Sequence, residues 1–242
     1  MAPYKMAPTQ TYLKYIYGAL LLLSIDAAIS LGFVSSMVAF LHTKGGGPFE
    51  VENPAGGTFQ LRGEPANLIT DQGHTTNGAG GTALVLVGFG GIIALLLESK
   101  SRKKSGKSSP LFYVWAVVVI LSWLLTLAAL IYTFVVTNMH RHQTIDLDIA
   151  VDSFPEKYAK DSWTPENWYS AVLDLDLVND ADVNVINHNL RLMRGWRYNI
   201  IVLSFLNFIL MDLVILEIAR SRKSRGNYGR TPSGDVYGTD LK

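Results

Sequence analysis

The sequence predicts an all-α membrane protein, a bundle of four transmembrane helices with a small exoplasmic cap. Of its 242 residues, 49% are hydrophobic and only 17% are charged, and the mean hydropathy is +0.21. Most aliphatic residues fall in four blocks that carry almost no charge, and each block is long enough to cross a hydrocarbon layer about 30 Å thick. The blocks are residues 15–41, 80–97, 111–137 and 198–218.

The segments between the blocks differ in charge, and this difference predicts their side of the membrane. Of the 21 Lys and Arg residues, 13 lie in the segments 1–14, 98–110 and 219–242, whereas 8 lie in the longer segments 42–79 and 138–197. Because basic residues are enriched in cytoplasmic segments, we predict a cytoplasmic N-terminus, linker and tail, and two exoplasmic loops. The first block is longer than the core of a signal peptide, so we interpret it as a retained anchor.

The first exoplasmic loop, 42–79, contains a pattern typical of a β-hairpin. Phe49 and Val51, then Phe59 and Leu61, alternate with polar residues on either side of a turn between Asn53 and Gly57. An isolated hairpin is only marginally stable, so we expect it to pack on something else. The Gly-rich stretch from His74 to Gly81 is interpreted as a flexible linker.

The second exoplasmic loop, 138–197, is predicted to form the helical part of the cap. Thr164-Pro165-Glu166 is typical of a helix start, with a capping hydroxyl, a proline in the first turn and an early acid. Trp168, Val172 and Leu175 follow on one face, and this apolar stripe must be buried on the first loop, a partner or lipid. A second helix is expected from about Asp182 and continues into the fourth block.

Small residues in the blocks predict close packing between helices. They recur every four residues in the first block and form a matching small face in the second, so that backbones can approach closely. These helix-packing residues are Ser24, Ala28, Gly32 and Ser36 in the first block and Gly81, Gly88 and Gly91 in the second.

Two carboxylates, Asp26 and Asp212, lie well inside the first and fourth blocks, and Glu217 lies nearer the inner boundary. No Lys or Arg lies within a block to neutralise them, and an ionised carboxylate in hydrocarbon costs roughly 2.5–3.5 kcal/mol. Two interpretations stay open. Either Asp26 and Asp212 are protonated side chains that join helices, or they form a proton- or cation-linked site.

Basic residues next to the inner boundary are expected to attract anionic inner-leaflet lipids, or only to determine topology. The lipid-attracting residues are Lys100, Arg102, Lys103, Lys104, Arg222, Lys223 and Arg225. On the outer side, Arg191, Arg194 and Arg197 are predicted to pair with Asp174 and Asp176, with contact to lipid phosphates as the alternative.

Sequence motifs provide no evidence for catalysis. The chain has no cysteine, which excludes disulfides, thiolate metal sites and cysteine nucleophiles, and it contains no HExxH or P-loop motif. His140, His142, Asp146 and Asp148 would share a metal only if their segment were suitably extended, so we assign no metal and no cofactor.

The stretch TPENWYSAVLDLDLV, followed by NHNLRLMRGWRYN, resembles a group of four-span membrane proteins from filamentous fungi. The resemblance covers the end of the second loop and the start of the fourth block, and it implies the four-span layout without functional residues. The layout also resembles that of tetraspanins, but the chain lacks the Cys-Cys-Gly motif of tetraspanins and the Trp–Cys signature of claudin-like proteins.

These observations predict a non-enzymatic, multi-pass tetraspan organiser or scaffold in the plasma membrane or another membrane of the secretory pathway. Its expected partners are lipids and a second membrane protein or further copies of itself, with no nucleic acid. The alternative function is a transporter or channel subunit that uses Asp26 and Asp212.

Overall fold

The computed structural model of the chain describes residues 11–228, with side chains described for residues 12–222. The predicted cytoplasmic segments 1–10 and 229–242, and the side chains of Lys223 and Arg225, lie outside this description. The described elements, in chain order, are α1 (Thr11–Phe40), β1 (Pro48–Glu52), β2 (Thr58–Arg62), α2 (Asp71–Gly81), α3 (Gly90–Ser105), α4 (Pro110–Met139), α5 (Leu147–Val151), α6 (Pro165–Leu173) and α7 (Asp180–Tyr228).

Four helical segments are long and apolar enough to cross a membrane. They are Tyr12–Gly45, Asp71–Ser105, Pro110–Met139 and Asp180–Arg222. The first ends in a π-helical turn, Leu41–Gly45, and the second joins α2 to α3 through the π-helical stretch Thr82–Phe89. The prediction of an all-α four-helix membrane bundle is therefore confirmed.

The bundle buries one face of each long helix and leaves the other apolar face exposed. α7 packs against both α1 and α4. Leu21, Val114 and Phe205 face away from the bundle core and are 62%, 60% and 60% exposed, whereas Leu23 and Leu203 are fully buried. An exposed apolar surface of this extent is stable in lipid and not in water, as expected for membrane spans.

The predicted flexible linker from His74 to Gly81 is wrong, because these residues belong to α2. The sequence DQGHTTNGAGG has a low intrinsic helix propensity, but Gln72, Thr76, Ala79 and Gly80 face the bundle and are buried. A Cβ at Gly80 would lie 3.4 Å from Leu31. Packing against α1 therefore stabilises a helix that local sequence disfavours, and the second span begins at Asp71.

The predicted hairpin is present, with Phe49 paired to Leu61 and Val51 to Phe59. All four side chains are buried on one face. The segment after α6 extends the sheet, since the Glu52 amide donates to the Asp176 carbonyl (2.8 Å) and the Val178 amide donates to the Glu50 carbonyl (3.0 Å). The hairpin and the second loop therefore form one cap.

The core of the cap is aromatic. Trp163, Trp168 and Tyr158 are fully buried, and the rings of Trp163 and Trp168 meet edge to face with 5.2 Å between centroids. The Trp168 indole donates to the Gly63 carbonyl (2.8 Å), and the Tyr169 hydroxyl donates to the Gly45 carbonyl (3.0 Å). These neutral hydrogen bonds join α6 to the hairpin and to the end of α1 that meets the cap. Following the predicted orientation, we call this end of the bundle the outer end and the opposite end the inner end.

The two predicted helix starts in the second loop agree with the structure. Thr164 caps α6, because its hydroxyl accepts a hydrogen bond from the Asn167 amide (3.3 Å). α7 begins at Asp180 and continues without a break into the fourth span. One detail differs, since α6 ends at Leu173, and the partly buried Leu175 contacts the cap core from the turn that follows.

Candidate functional site at the junction of cap and bundle

The first turn of α6 lies above the outer ends of the spans and separates two cavities. Thr164, Pro165 and Glu166 line the first cavity, and Glu166 also lines the second. Glu166 occupies this wall because the Thr164 cap and Pro165 fix the start of the helix. The sequence reveals this helix start but not its position between two cavities.

The first cavity, which we call the apolar cavity, has a volume of about 350 Å³. It lies between α1, α2, α6 and α7, and its apolar lining includes Val34, Met37, Val38, Met193 and Trp196. A volume of this size falls within the range of ligand pockets, about 300–1,000 Å³.

Two polar atoms without a partner among the described residues belong to side chains that line the apolar cavity. They are Gln72 Oε1 and Trp196 Nε1, whose residues are 3% and 5% exposed. The amide nitrogen of Gln72 is held in place, since it donates to the Ile69 carbonyl (3.1 Å). A buried polar atom without a partner costs about 1–3 kcal/mol, so a ligand gains that energy if a side-chain movement exposes either atom and the ligand hydrogen-bonds to it.

The second cavity, which we call the arginine pocket, has a volume of about 440 Å³ and a polar lining. Arg141, Arg194 and Arg197 line it together with Glu166 and Asp174. Glu166 Oε1 lies 3.2 Å from Arg197 Nη1 and 3.6 Å from Arg194 Nε. Burial raises the pKa of Glu166, and the charges of Arg197 and Arg194 act in the opposite direction.

The planar group of Arg197 is held by aromatic rings at the edge of the arginine pocket. Its guanidinium carbon lies 5.0 Å from the centre of the Tyr198 ring and 5.7 Å from that of Phe134. Arg197 Nη2 donates to the Tyr198 hydroxyl (3.2 Å), and Arg197 Nε is buried and has no partner within the described part of the chain. The expected pairing of Arg194 and Arg197 with Asp174 and Asp176 is replaced by pairing with Glu166.

The two intramembrane acids lie in different environments. Asp26 is buried, and its Oδ2 has no partner among the described residues, whereas Asp212 is exposed on the surface of the bundle. A Cβ at Gly195 would lie 3.4 Å from Phe33, which places these residues at one level of the antiparallel helices α1 and α7. From that level Asp212 lies ten residues deeper than Asp26, about 15 Å along the bundle.

Three of the four predicted packing residues of α1 do not face a neighbouring span in the structure. Ala28, Gly32 and Ser36 are exposed on the outside of the bundle, and a Cβ at Gly32 or at Gly81 would meet nothing within 4 Å. A step of four residues turns a helix by about 40° beyond a full circle, so the line from Ser24 to Ser36 rotates away from the neighbouring helix by about 120°.

Three of the predicted small residues do lie at contacts between spans. A Cβ at Gly88 would lie 2.7 Å from the Ser24 hydroxyl, and one at Gly91 would lie 2.8 Å from Trp115. The hydroxyl of Ser24 is satisfied within α1, where it donates to the Leu20 carbonyl (2.8 Å). Close approach therefore occurs on the second span, at glycines that no larger residue could replace without movement.

A charged cluster closes the inner end of the bundle. Arg102 Nε lies 2.6 Å from Glu98 Oε1, Arg102 Nη1 pairs with Glu217, and Glu98 Oε2 accepts from the Ser109 amide (2.6 Å). We call Glu98, Arg102 and Glu217 the inner ion cluster. Arg102 therefore faces the bundle and is not free for lipid, whereas Lys100, Lys103, Lys104 and Arg222 are exposed.

Two of the four candidate metal ligands of the second loop are held by other contacts. His140 Nδ1 lies 2.8 Å from the Val136 carbonyl, and Asp146 accepts from the Asp148 amide (3.2 Å) and from Lys160 (2.9 Å). Within residues 11–228, no three His, Asp or Glu side chains are arranged to hold a metal ion.

Sequence reasoning missed Gln72, Glu98 and the role of Glu166. Gln72 lies in a segment whose composition indicates a loop, so its burial in a helix could not be predicted. Glu98 stands four residues before Arg102, a spacing that favours an ion pair on a helix and was the available signal. Nothing in the sequence indicates that Glu217, far along the chain, joins them.

No protein-family model, curated protein or solved structure matches the chain.

Proposed function

We propose that the chain is a non-enzymatic tetraspan protein that binds a lipid in the apolar cavity and thereby organises the bilayer around its outer end. The observation that carries this proposal is the pair of buried atoms without a partner among the described residues, Gln72 Oε1 and Trp196 Nε1, whose side chains line a mainly apolar cavity. An amide and an indole accept and donate hydrogen bonds but do not titrate near neutral pH. These two atoms therefore support ligand binding.

The chemistry of the two atoms favours a lipid with a free hydroxyl on an apolar body, such as a diacylglycerol. A hydroxyl donates to the Gln72 oxygen or accepts from the Trp196 N–H. The apolar body of the lipid packs against Val34, Met37 and Met193 in the cavity wall. The cavity lies at the outer ends of the spans, between the cap and the four-helix bundle. A membrane lipid is therefore the candidate ligand nearest to the cavity.

The proposal includes an orientation with both termini in the cytosol and the cap outside, in the plasma membrane or another secretory-pathway membrane. The charge difference between the two sides supports it. A glycosylation sequon introduced into residues 150–160 should be modified in a microsomal assay, and one in the 98–110 linker should not. Modification of the linker alone would overturn the orientation.

The transporter alternative receives less support. Asp26 and Asp212 lie about 15 Å apart along the bundle, and Asp212 is exposed on the outer surface of the bundle. A second membrane protein on the exposed ridge of Ala28, Gly32 and Ser36 stays part of the proposal as the expected partner, to be sought by cross-linking in native membranes.

The binding proposal is tested by filling the apolar cavity. Gly73 lines it, and a Cβ there would meet nothing within 4 Å, so Gly73→Phe occupies the cavity without a clash at its first carbon. Gly78 on the same helix is exposed and equally open, and Gly78→Phe is the matched control. The measurement is retention of radiolabelled diacylglycerol by the purified full chain in detergent.

We expect Gly73→Phe to weaken diacylglycerol binding by at least about tenfold, which corresponds to about 1.4 kcal/mol, and Gly78→Phe to leave it unchanged. Trp196→Phe removes one hydrogen-bonding atom, and Gln72→Met removes both amide atoms, including the nitrogen that donates to the Ile69 carbonyl. Each of these two variants should weaken binding less than Gly73→Phe does. Equal binding by wild type and Gly73→Phe would contradict the proposal.

A further inference from the structure

The arginine pocket opens beside the lipid-facing surface of two spans. Tyr198 at its edge is 54% exposed, and Ile201 on α7 follows it toward the membrane interior. On α4, Val135 and Ile131 are 49% and 56% exposed. A molecule that fills this pocket therefore has apolar protein surface directly beneath it, on α4 and α7, which pack against each other.

The charges of the arginine pocket leave one cation in excess. Glu166 pairs with Arg197 and Arg194, whereas Arg141 is exposed and Asp174 lines the pocket as the second acid. Arg197 Nε is a buried donor without a partner among the described residues. Arginine donors bind phosphate oxygens well because the guanidinium presents several N–H groups in a fixed plane.

We propose that the arginine pocket binds the phosphate headgroup of an outer-leaflet phospholipid, whose acyl chains lie on the exposed apolar faces of α4 and α7. Arg141 and Arg197 contact the phosphate, and Asp174 faces the cationic end of a zwitterionic headgroup. The volume of about 440 Å³ exceeds that of a bare phosphate several times, and the apolar edge below the pocket fits a lipid rather than a soluble anion. This site is separate from the apolar cavity, and it rests on the proposed function only for the orientation that makes this leaflet the outer one.

The test uses the full chain carrying Gly73→Phe, so that the apolar cavity is filled. Binding of short-chain phosphatidylcholine, inorganic phosphate and short-chain diacylglycerol is measured separately by equilibrium dialysis in detergent. Arg141→Gln removes a pocket charge that makes no ion pair among the described residues, and Arg191→Gln removes an exposed arginine of α7 outside the pocket. Thermal unfolding of each variant shows whether the fold is kept.

We expect phosphatidylcholine to bind at least about tenfold more tightly than either inorganic phosphate or diacylglycerol. Arg141→Gln should weaken phosphatidylcholine binding about tenfold, whereas Arg191→Gln should change it less than about twofold. Higher salt should weaken binding, because part of the attraction is between charges.

Three outcomes overturn the inference. Equal affinity for phosphate and phosphatidylcholine identifies a site for a free anion. Equal effects of Arg141→Gln and Arg191→Gln show that the pocket is not the site. Phosphatidylcholine binding that wild type shows and Gly73→Phe abolishes assigns the phospholipid to the apolar cavity, which would leave the proposed lipid function standing.

Discussion

The two ends of the bundle are closed by different physical means. At the outer end, Trp163, Trp168 and Tyr158 are buried together, and the Trp168 indole donates a neutral hydrogen bond to the Gly63 carbonyl. At the inner end, the side chains of Glu98 and Glu217 are 0% and 2% exposed, and Arg102 holds both. The outer end is stabilised mainly by buried apolar area, and the inner end depends on charges that must stay together.

The difference predicts how each end responds to loss of one member. Removing a large aromatic side chain leaves a cavity, and the cost scales with its volume. Removing one member of a buried ion cluster leaves the remaining charges without compensation, although replacing the whole cluster by neutral groups is often tolerated. The outer end should therefore respond to size and the inner end to charge balance.

The largest effect is expected at the outer end. Trp168→Ala removes a fully buried side chain and leaves the Gly63 carbonyl without its donor, at a cost of about 3–5 kcal/mol to the cap. Limited proteolysis of outside-exposed vesicles should show faster cleavage across residues 150–190, with the spans still inserted. Val178→Ala, at an exposed position of the cap, is the control.

A chelator and a reductant should leave the cleavage rate of the wild-type cap unchanged, because burial and not a metal or disulfide stabilises it. Chelator-induced cleavage near His140–Asp148 would contradict this account.

The second effect tests the inner ion cluster. Arg102→Met leaves two buried carboxylates without a cation, and we expect a loss of about 3 kcal/mol. The triple variant Arg102→Met, Glu98→Gln, Glu217→Gln should recover most of this loss. The midpoint of thermal unfolding in detergent is the measurement, and Lys103→Met, at the adjacent exposed lysine, is the control. A triple variant no more stable than Arg102→Met would show that charge balance is not the cause.

The contrast between the two ends also explains what could be predicted from the sequence. The α6 start, the hairpin and the four spans depend on neighbours close in sequence, and their patterns are strong. The inner ion cluster joins Glu98 to Glu217, and α2 forms because Gly80 packs on Leu31, so both depend on contacts far apart in the chain. The same holds for the two cavities, whose walls come from several elements.

The third effect compares two glycines in the spans. Gly91→Ala places a Cβ 2.8 Å from Trp115 and should cost about 1–3 kcal/mol by overpacking. Gly32→Ala has open space and should cost nothing, or stabilise α1 slightly, because alanine favours helix. Thermal aggregation in detergent gives the comparison. A more damaging Gly32→Ala would indicate that a second copy or a partner covers the outer face of α1.

The smallest effect is a pH dependence of the cap at Asp146. The hydrogen bond from Lys160 lowers the pKa of Asp146 below its ordinary value of 3.8. Because the folded chain then binds this proton less readily than the unfolded chain, the ion pair contributes stability above the ordinary pKa and loses it as the pH falls through the folded value. The side chains of Lys160 and Asp146 are 46% and 35% exposed, so solvent screens the pair and the contribution is small.

Lys160→Met should therefore reduce the loss of protease resistance that the cap shows as the pH falls below the ordinary pKa of Asp146, 3.8. Lys157→Met removes a second ion pair on the surface of the cap, the one between Lys157 and Glu64. This control separates a general loss of charge from the effect at Asp146. A pH response that is unchanged in Lys160→Met, or changed equally in Lys157→Met, would place the acid sensitivity of the cap elsewhere. In that case the stability of the exposed rim of the cap would also depend on apolar burial and little on charge, as we propose for the outer end as a whole.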